Sequence, residues 1–564
     1  MPNINDINGV TIANLSKLDG VTKANIAKVL GITLEAAAAF LLDTYTGAAA
    51  GYSVRRIASS ATNLMRIRED SGDTETDIGY DSNGDLDTAA IATHCGTANG
   101  FLVSWVDQSG NGNDADQATT TAQPKIYDGT TQAVHTVNGK PAFDTVTGGY
   151  MQTASFTMSG TNAVAIVTSL DANTFVINGN AAAYEMLIAQ SGSTNTQVDQ
   201  DVGTPTYYVD GSTKTWTDRA DVYTTLSSQR LVFADDADLS NWPGIGMGYN
   251  ISPSSFPMSM MQEVVIWDTD QTTNRTGIET DINSEYLIYQ PTDAPTSGLL
   301  ATYTGAAAAY SVRQLSDKAV IAITVRRDSD DEEKRFGFDS NGDLDTTGIA
   351  DFCTTANGYV SQWWDQSTNG NHATQSTAGS QPQIYNGTAV ITENGKPAIE
   401  FTSDHLHAVY STTSSEDFPL TTFQVIETAT TSGNQTFTSL NKSDNTDPIR
   451  SAISLGGNYG YYNRDNDLTV VTSSSAQSAI QALITITDTG TIGNVYYNAS
   501  QIVTNGSTDI GTTTIDRLSL GAFRENTPSN FLNGHLQEVI VYNSNQSSNR
   551  TGIESDINTY FSIY

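Results

Sequence analysis

At 564 residues the chain exceeds what one hydrophobic core organises, so about two to four domains are expected. It carries 62 Asp and Glu against 26 Lys and Arg, a formal net charge of −36 that repels phosphate backbones and anionic lipid, so neither nucleic acid nor a membrane surface is an expected partner. Charged residues are nevertheless only 16% of the chain and aromatics reach 9%, which excludes a disordered acidic polymer and suits an extracellular β-protein.

The first element is a short repeat. In GVTIANLSKLDGVTKANIAKVLGITLE, residues 9–35, Gly9, Gly20 and Gly31 fall eleven residues apart, as do Thr11, Thr22 and Thr33. Each unit reads as a Thr N-cap, about two turns of helix formers and a terminating Gly. Val10, Val21 and Ile32 precede the caps, where each can staple its helix to an apolar residue such as Leu15 or Ile26. Helices this short are marginal alone, so residues 1–36 are expected to anchor on a partner surface or within a multimer. The chain opens with no basic-then-apolar leader and holds no run of about 18 apolar residues, so neither an export signal nor membrane insertion is expected.

Beyond the repeat the sequence is duplicated. TYTGAAAGYSVRR (44–56) returns as TYTGAAAAYSVRQ (302–314), YDSNGDLDT as FDSNGDLDT, and WVDQSGNGNDA as WWDQSTNGNHA, all at an offset of 258. VNGKPAF and ENGKPAI follow at 256, and the closing stretches beginning QEVVIW and QEVIVY pair at 275, so the second copy carries longer loops. Two homologous domains are expected, 37–290 and 299–564, joined by a linker at 291–298 within QPTDAPTSG. Stretches such as SMMQEVVIW and LITITDTGTIGNVYYN are β-branched, aromatic and partly alternating, with Asn-Gly, Asp-Gly and Ser-Gly punctuation, which predicts a mainly β chain of two antiparallel sandwiches. Each copy closes with a short amphipathic helix that Asn274 or Asn549 can cap. Cys95 and Cys353 occupy equivalent places and read as buried structural thiols.

The order TGAAA-YSVRR, DSGDTETDIGYDSNGD, WVDQSGNGNDADQATTTAQPKI and VNGKPAF is similar to the catalytic β-sandwich of the arabinofuranosidase B type of glycoside hydrolase, most specifically at DQSGNGN. The resemblance implies a concanavalin-like jelly roll in each copy. It also implies a retaining site with two carboxylates about 5 Å apart. The stretches matching the family's acid/base region are GIGMGYN, with Tyr249 and Asn250, and LGAFREN, with Glu525. Those matching the nucleophile region offer Asp210 in the first copy, and Asp465 and Asp467 in the second, with no Glu in place. The family's vicinal cysteine pair is absent from both copies. A carboxylate shortened by one methylene retracts the nucleophile by more than ~1 Å, a misplacement that costs ~100-fold. The first copy is therefore expected to be catalytically empty, and Glu525 with Asp465 or Asp467 is the residual pair of a chain expected not to be an enzyme.

Other motifs carry weaker chemistry. DSNGDLD places Asp81, Asn83, Asp85 and Asp87, and again Asp339, Asn341, Asp343 and Asp345, at the alternate spacing of a calcium loop. Ala92 or Ala350 stands where the bidentate carboxylate belongs, and a Ser-Asn-Gly turn followed by an Asp helix cap explains the same residues without metal. No cofactor is required, and Ca²⁺ is the one ion the pattern suggests. DQSGNGN lacks the Lys and strand-to-helix setting of a phosphate loop, so Asp107 and Asp365 are expected to bond backbone amides in a rigid turn. Tyr207, Tyr208, Trp216 and Trp242 in the first copy, with Tyr459, Tyr461 and Tyr462 in the second, are the candidate aromatic platform for glycans, whereas Trp105 and Trp363 read as core.

The run INGV-x-x-A-N followed by large sandwich modules resembles virion proteins of tailed bacteriophages: head fibres, capsid decorations or tail appendages. That resemblance implies capsid or tail proteins as partners of residues 1–36, a virion-surface location, and surface glycans or a homo-oligomer as further partners. The rival readings are a hydrolase active only in the second copy and a secreted carbohydrate-binding adhesin.

Overall fold

The computed structural model describes residues 40–145, 149–170, 174–179, 186–190, 193–248, 259–414, 419–444, 449–465, 467–476, 479–507, 513–524 and 527–564, together with 6–7, 10–11, 17–18 and 21–22. Antiparallel strands dominate, and the chain divides into two compact units, 1–137 with 141–282, and 138–140 with 283–564.

Each unit is built on its last long strand. In the first, Ser259–Trp267 lies between Asn162–Leu170 on one side and Ala48–Ser53 with Phe143–Asp144 on the other. In the second, Asn533–Tyr542 lies between Leu420–Thr428 and the pair Ala306–Ser311 and Ile399–Thr402. Leu420–Thr428 continues the sheet through Ala482–Asp488, Ile492–Tyr497 and Ser500–Ser507. The facing sheet of this unit runs Leu406–Ser414, Thr513–Leu520, Gln435–Asn441, Ile449–Leu455, Asn458–Asp465 and Asp467–Ala476. Between the layers Trp363, Phe423, Leu440, Leu518 and Ile540 are buried, as are Trp105, Phe143, Ile166 and Val265 in the first unit. These are the sandwiches the alternating runs predict.

A bulge recurs at one place in both units. The ladder between the last strand and its long neighbour slips between Val167 and Thr168, and between Val425 and Ile426, so that the register skips Gln262 and Gln537, both buried. Gln262 donates to the Val137 and Pro141 carbonyls, and Gln537 to those of Glu393 and Pro397. The repeated Asn-Gly-Lys-Pro turn is thus pinned to the sheet by the repeated Gln.

The closing helices, Arg275–Tyr286 and Arg550–Phe561, form as expected, but their Asn caps do not. The Asn274 and Asn549 side chains donate to Gln271 and Gln546 at 2.8 and 2.7 Å, which bind the turn before each helix rather than its first amides. Cys95 and Cys353 are free and buried, each under a glycine, Gly100 or Gly358, whose missing Cβ gives the sulfur its space.

The opening repeat departs from the helices predicted for it. Asp6–Ile7 pairs antiparallel with Val10–Thr11, and Lys17–Leu18, inside the first expected helix, pairs with Val21–Thr22. Asn8-Gly9 and Asp19-Gly20 separate these dipeptides in sequence, and Asn-Gly and Asp-Gly are favoured two-residue hairpin connections. Val10 and Val21 therefore stand in short strands instead of at helix starts. Leu15, Ile26 and Ile32 lie outside the described residues.

Candidate functional site

The motifs that survive duplication prove to be framework. Asp107 accepts from the amides of Gly51, Ser109 and Asn113, and Asp365 from those of Ala309, Ser367 and Asn371, all at 2.8–3.0 Å. The rigid turn expected of DQSGNGN is present in both units. A second framework joins three motifs: Glu263 accepts from Ser53 and Arg55, and Arg55 also bonds Asp281. Glu538, Ser311, Arg313 and Asp556 repeat it, with Glu538 fully buried. Ion pairs so enclosed hold register more than they add net stability.

The calcium-loop residues are occupied by turn and cap duties. Asp81 accepts from the amides of Asn83 and Asp85, and Asp87 caps a helix through the Ala90 amide at 2.8 Å. Asp339 bonds the Asn341 and Asp343 amides, Asp345 caps through Gly348, and Asp343 also meets Lys396 at 3.5 Å.

The aromatic platform divides. Tyr207, Trp242, Tyr459 and Tyr461 are buried and present no face to a ligand. Tyr207 donates to the Leu187 carbonyl and Trp242 to that of Asp201. Tyr459 and Tyr461 point inward because they sit two apart on the strand Asn458–Asp465; Tyr461 bridges Arg450 and Asp488, a fully enclosed pair at 2.7 Å. Tyr208, Trp216 and Tyr462 are half-buried, Tyr208 under the Arg275 guanidinium and Tyr462 edge-on to Phe523. Of the residual catalytic set, Glu525 lies outside the described residues, as do the side chains of Asp465 and Asp467. Asp210 is bound into a turn by Arg230 at 2.6 Å and the Leu231 amide.

The structure instead draws attention to the outer face of the second sandwich. A groove of about 430 Å³ is lined by Arg326, Asp328, Tyr359, Gln381, Gln383, Glu400, Thr402 and Asp404, together with the exposed Ala378 and Gly379. Arg326 sits 5.3 Å from the Tyr359 ring centre, donates to Gln381 at 2.6 Å and pairs with Asp331. Arg68, Phe101, Gln123 and Asp73 form the same frame in the first unit. At the positions equivalent to Tyr359, Gln383 and Glu400 the first unit carries Phe101, Lys125 and Asp144, so the hydroxyl, the amide and the longer carboxylate belong to the second unit alone.

Beside the groove lies a cluster the sequence did not disclose. His535 stands on the last strand directly across from Glu400 on one neighbour and Glu427 on the other. Its Nδ1 is 2.9 Å from Glu427 and 3.7 Å from Glu393, which the pinned Asn-Gly-Lys-Pro hairpin carries over the strand. Glu427 is only 8% exposed. Gly534 permits the approach: a Cβ there would meet the Glu427 carbonyl oxygen at 2.2 Å. Burial disfavours the charged imidazole, but its hydrogen bond to Glu427 and the surrounding carboxylates outweigh it and raise the His535 pKa. Burial, and then Glu427, push the Glu393 pKa up. The first unit has Val137, Ser169 and Met260 at the equivalent places. The available signal was divergence between copies: a charge or imidazole replacing Val137 and Met260.

No protein-family profile matches the chain, and no curated protein does. Solved structures that resemble it include a GH54 α-L-arabinofuranosidase soaked with a cyclic sulfate inhibitor, at 15% identity and TM-score 0.34, covering 45% of this chain and 62% of that one. An arabinofuranosidase complexed with arabinofuranosyl-alpha-1,2-xylobiose matches at 16% and 0.36, over the same shares. The CBM40 domain of Ruminococcus gnavus IT-sialidase, bound to alpha2,3 sialyllactose, matches at 15% and 0.23, over 28% of this chain and 94% of that one. The chain thus spans 62% of the length of the first two. Likenesses of this extent assign no activity.

Proposed function

We propose that the protein is a non-enzymatic structural component of a virion surface, anchored through residues 1–36 to a capsid or tail protein, and that its second sandwich binds neutral glycans in the groove at Tyr359. The groove is the observation that supports this reading. It combines an aromatic ring backed by a guanidinium with amide and carboxylate side chains, the set that stacks on a sugar's C–H face while bonding neighbouring hydroxyls. Its volume of about 430 Å³ falls within the range of small-ligand sites. Asp328, Glu400 and Asp404 outnumber Arg326, which is already paired, so the lining selects against sulfated or sialylated sugars.

The test is a glycan array on the full chain, followed by titration of the best neutral ligand. Tyr359→Ala is expected to weaken binding by roughly 10-fold, as loss of a stacking ring worth ~1.5 kcal/mol requires. Binding untouched by that change, or confined to acidic glycans, overturns the groove assignment. Release of arabinose from an aryl arabinofuranoside overturns the non-enzymatic reading, and deletion of residues 1–36 with unchanged particle incorporation overturns the anchor.

A further inference from the structure

We propose that Glu393, Glu427 and His535 form a binding site for a divalent transition-metal ion, of which Zn²⁺ is the best fit. One ligand atom from each residue lies within 4.8 Å of the others. A tetrahedral Zn²⁺ with ligands at about 2.0–2.1 Å holds them about 3.3 Å apart. The two distances from His535 Nδ1, 2.9 and 3.7 Å, bracket that value, and the third side, between the two carboxylates, is no longer than 4.8 Å, so closing the Glu393 side chain onto the other two seats the ion.

The donor set chooses the metal class. Ca²⁺ seeks six to eight oxygens, whereas imidazole with two carboxylates suits Zn²⁺ and its first-row neighbours. Charge argues the same way. Glu393, Glu400 and Glu427 crowd one imidazole on a half-covered sheet face, and a protonated His535 offsets only one of the three carboxylates. A dication replaces that proton and offsets two. The positions are fixed independently of any ion. Glu427 and His535 are set by ladder register and the Gly534 contact, and Glu393 by the buried Gln537 that grips its carbonyl at 3.1 Å. The ion would tie the hairpin to both central strands, with a coordination position left for water or a ligand oxygen.

The site is independent of the glycan reading, since its metal affinity is measured without sugar. Full-length protein stripped with EDTA is titrated with ZnCl₂ by calorimetry, and with CoCl₂ by absorption for the bands of a low-coordinate ion. One equivalent with low-micromolar or tighter affinity is expected. Glu393→Gln, Glu427→Gln and His535→Gln should each weaken it by at least about 10-fold, since even outer-shell losses cost that much. Circular dichroism and melting in EDTA verify folding, and Glu393→Gln, on the hairpin surface, keeps the test decisive if a strand variant misfolds. The absence of Zn²⁺ binding by wild type, or an affinity unchanged in Glu393→Gln, overturns the proposal, and cobalt bands that persist in folded His535→Gln do the same.

Discussion

One exchanged residue shows how the copies solve the same problem differently. In the first unit the Asp107 amide donates to Asp114 at 2.8 Å; in the second the Asp365 amide donates to His372 Nδ1 at 3.1 Å. Accepting that bond requires Nδ1 to be unprotonated, and burial, with Arg335 nearby, lowers the His372 pKa to about 4. The folded pKa lies below the unfolded one, so the neutral ring's stabilisation is complete above pH ~6.5 and is lost as pH falls toward 4, to the extent of about 3 kcal/mol. His372→Asn keeps an acceptor and removes the titration. Melting followed from pH 7 to pH 4 is expected to fall less steeply in the variant, and a shared slope persists because burial also lowers the His405 pKa to about 4. Identical profiles would mean that His372 does not bear the load.

At the scale of elements, what the sequence discloses depends on whether the deciding contact is local. The DQS turns and the Asp87 and Asp345 caps were legible because donor and acceptor come from short motifs with fixed geometry. The Asn-Gly and Asp-Gly pairs of the opening repeat are equally local, yet the same eleven-residue period places Thr and Gly where helix caps and stops also belong. Alternation alone separates Tyr459 and Tyr461 from Tyr462, but only once the segment is seen as a strand. Glu393, Glu427 and His535 were illegible, because register across strands distant in the chain brings them together and no single strand encodes its partner. The same register makes a prediction about glycine. Gly395 has φ +73° with open space around it, so Gly395→Ala should cost only the left-handed strain of about 1–2 kcal/mol. Gly534, at φ +149°, would add a Cβ 2.2 Å from the Glu427 oxygen and force the central strands apart, so Gly534→Ala should cost more, by about 1–3 kcal/mol of overpacking. Urea denaturation compares the two, and equal losses would mean that strand approach is not what this glycine serves.

For the molecule as a whole, duplication separates what holds the fold from what the second copy has added. Both copies keep the enclosed Ser–Arg–Glu network and the bulged Gln, while the groove and the carboxylate–imidazole cluster arise where they differ. Charge acts on both alike. A net −36 makes the compact state repel itself, whereas the Arg55–Glu263 and Arg313–Glu538 pairs are enclosed and weakly screened. Raising NaCl from 0.01 to 0.15 M shortens the screening length from ~30 to ~8 Å and relieves repulsion between exposed carboxylates without touching those pairs. Melting of EDTA-treated protein is therefore expected to shift upward over that range and then level off. A shift downward would show that exposed pairs such as Arg66–Asp77, at 2.6 Å, contribute more to stability than the excess negative charge removes.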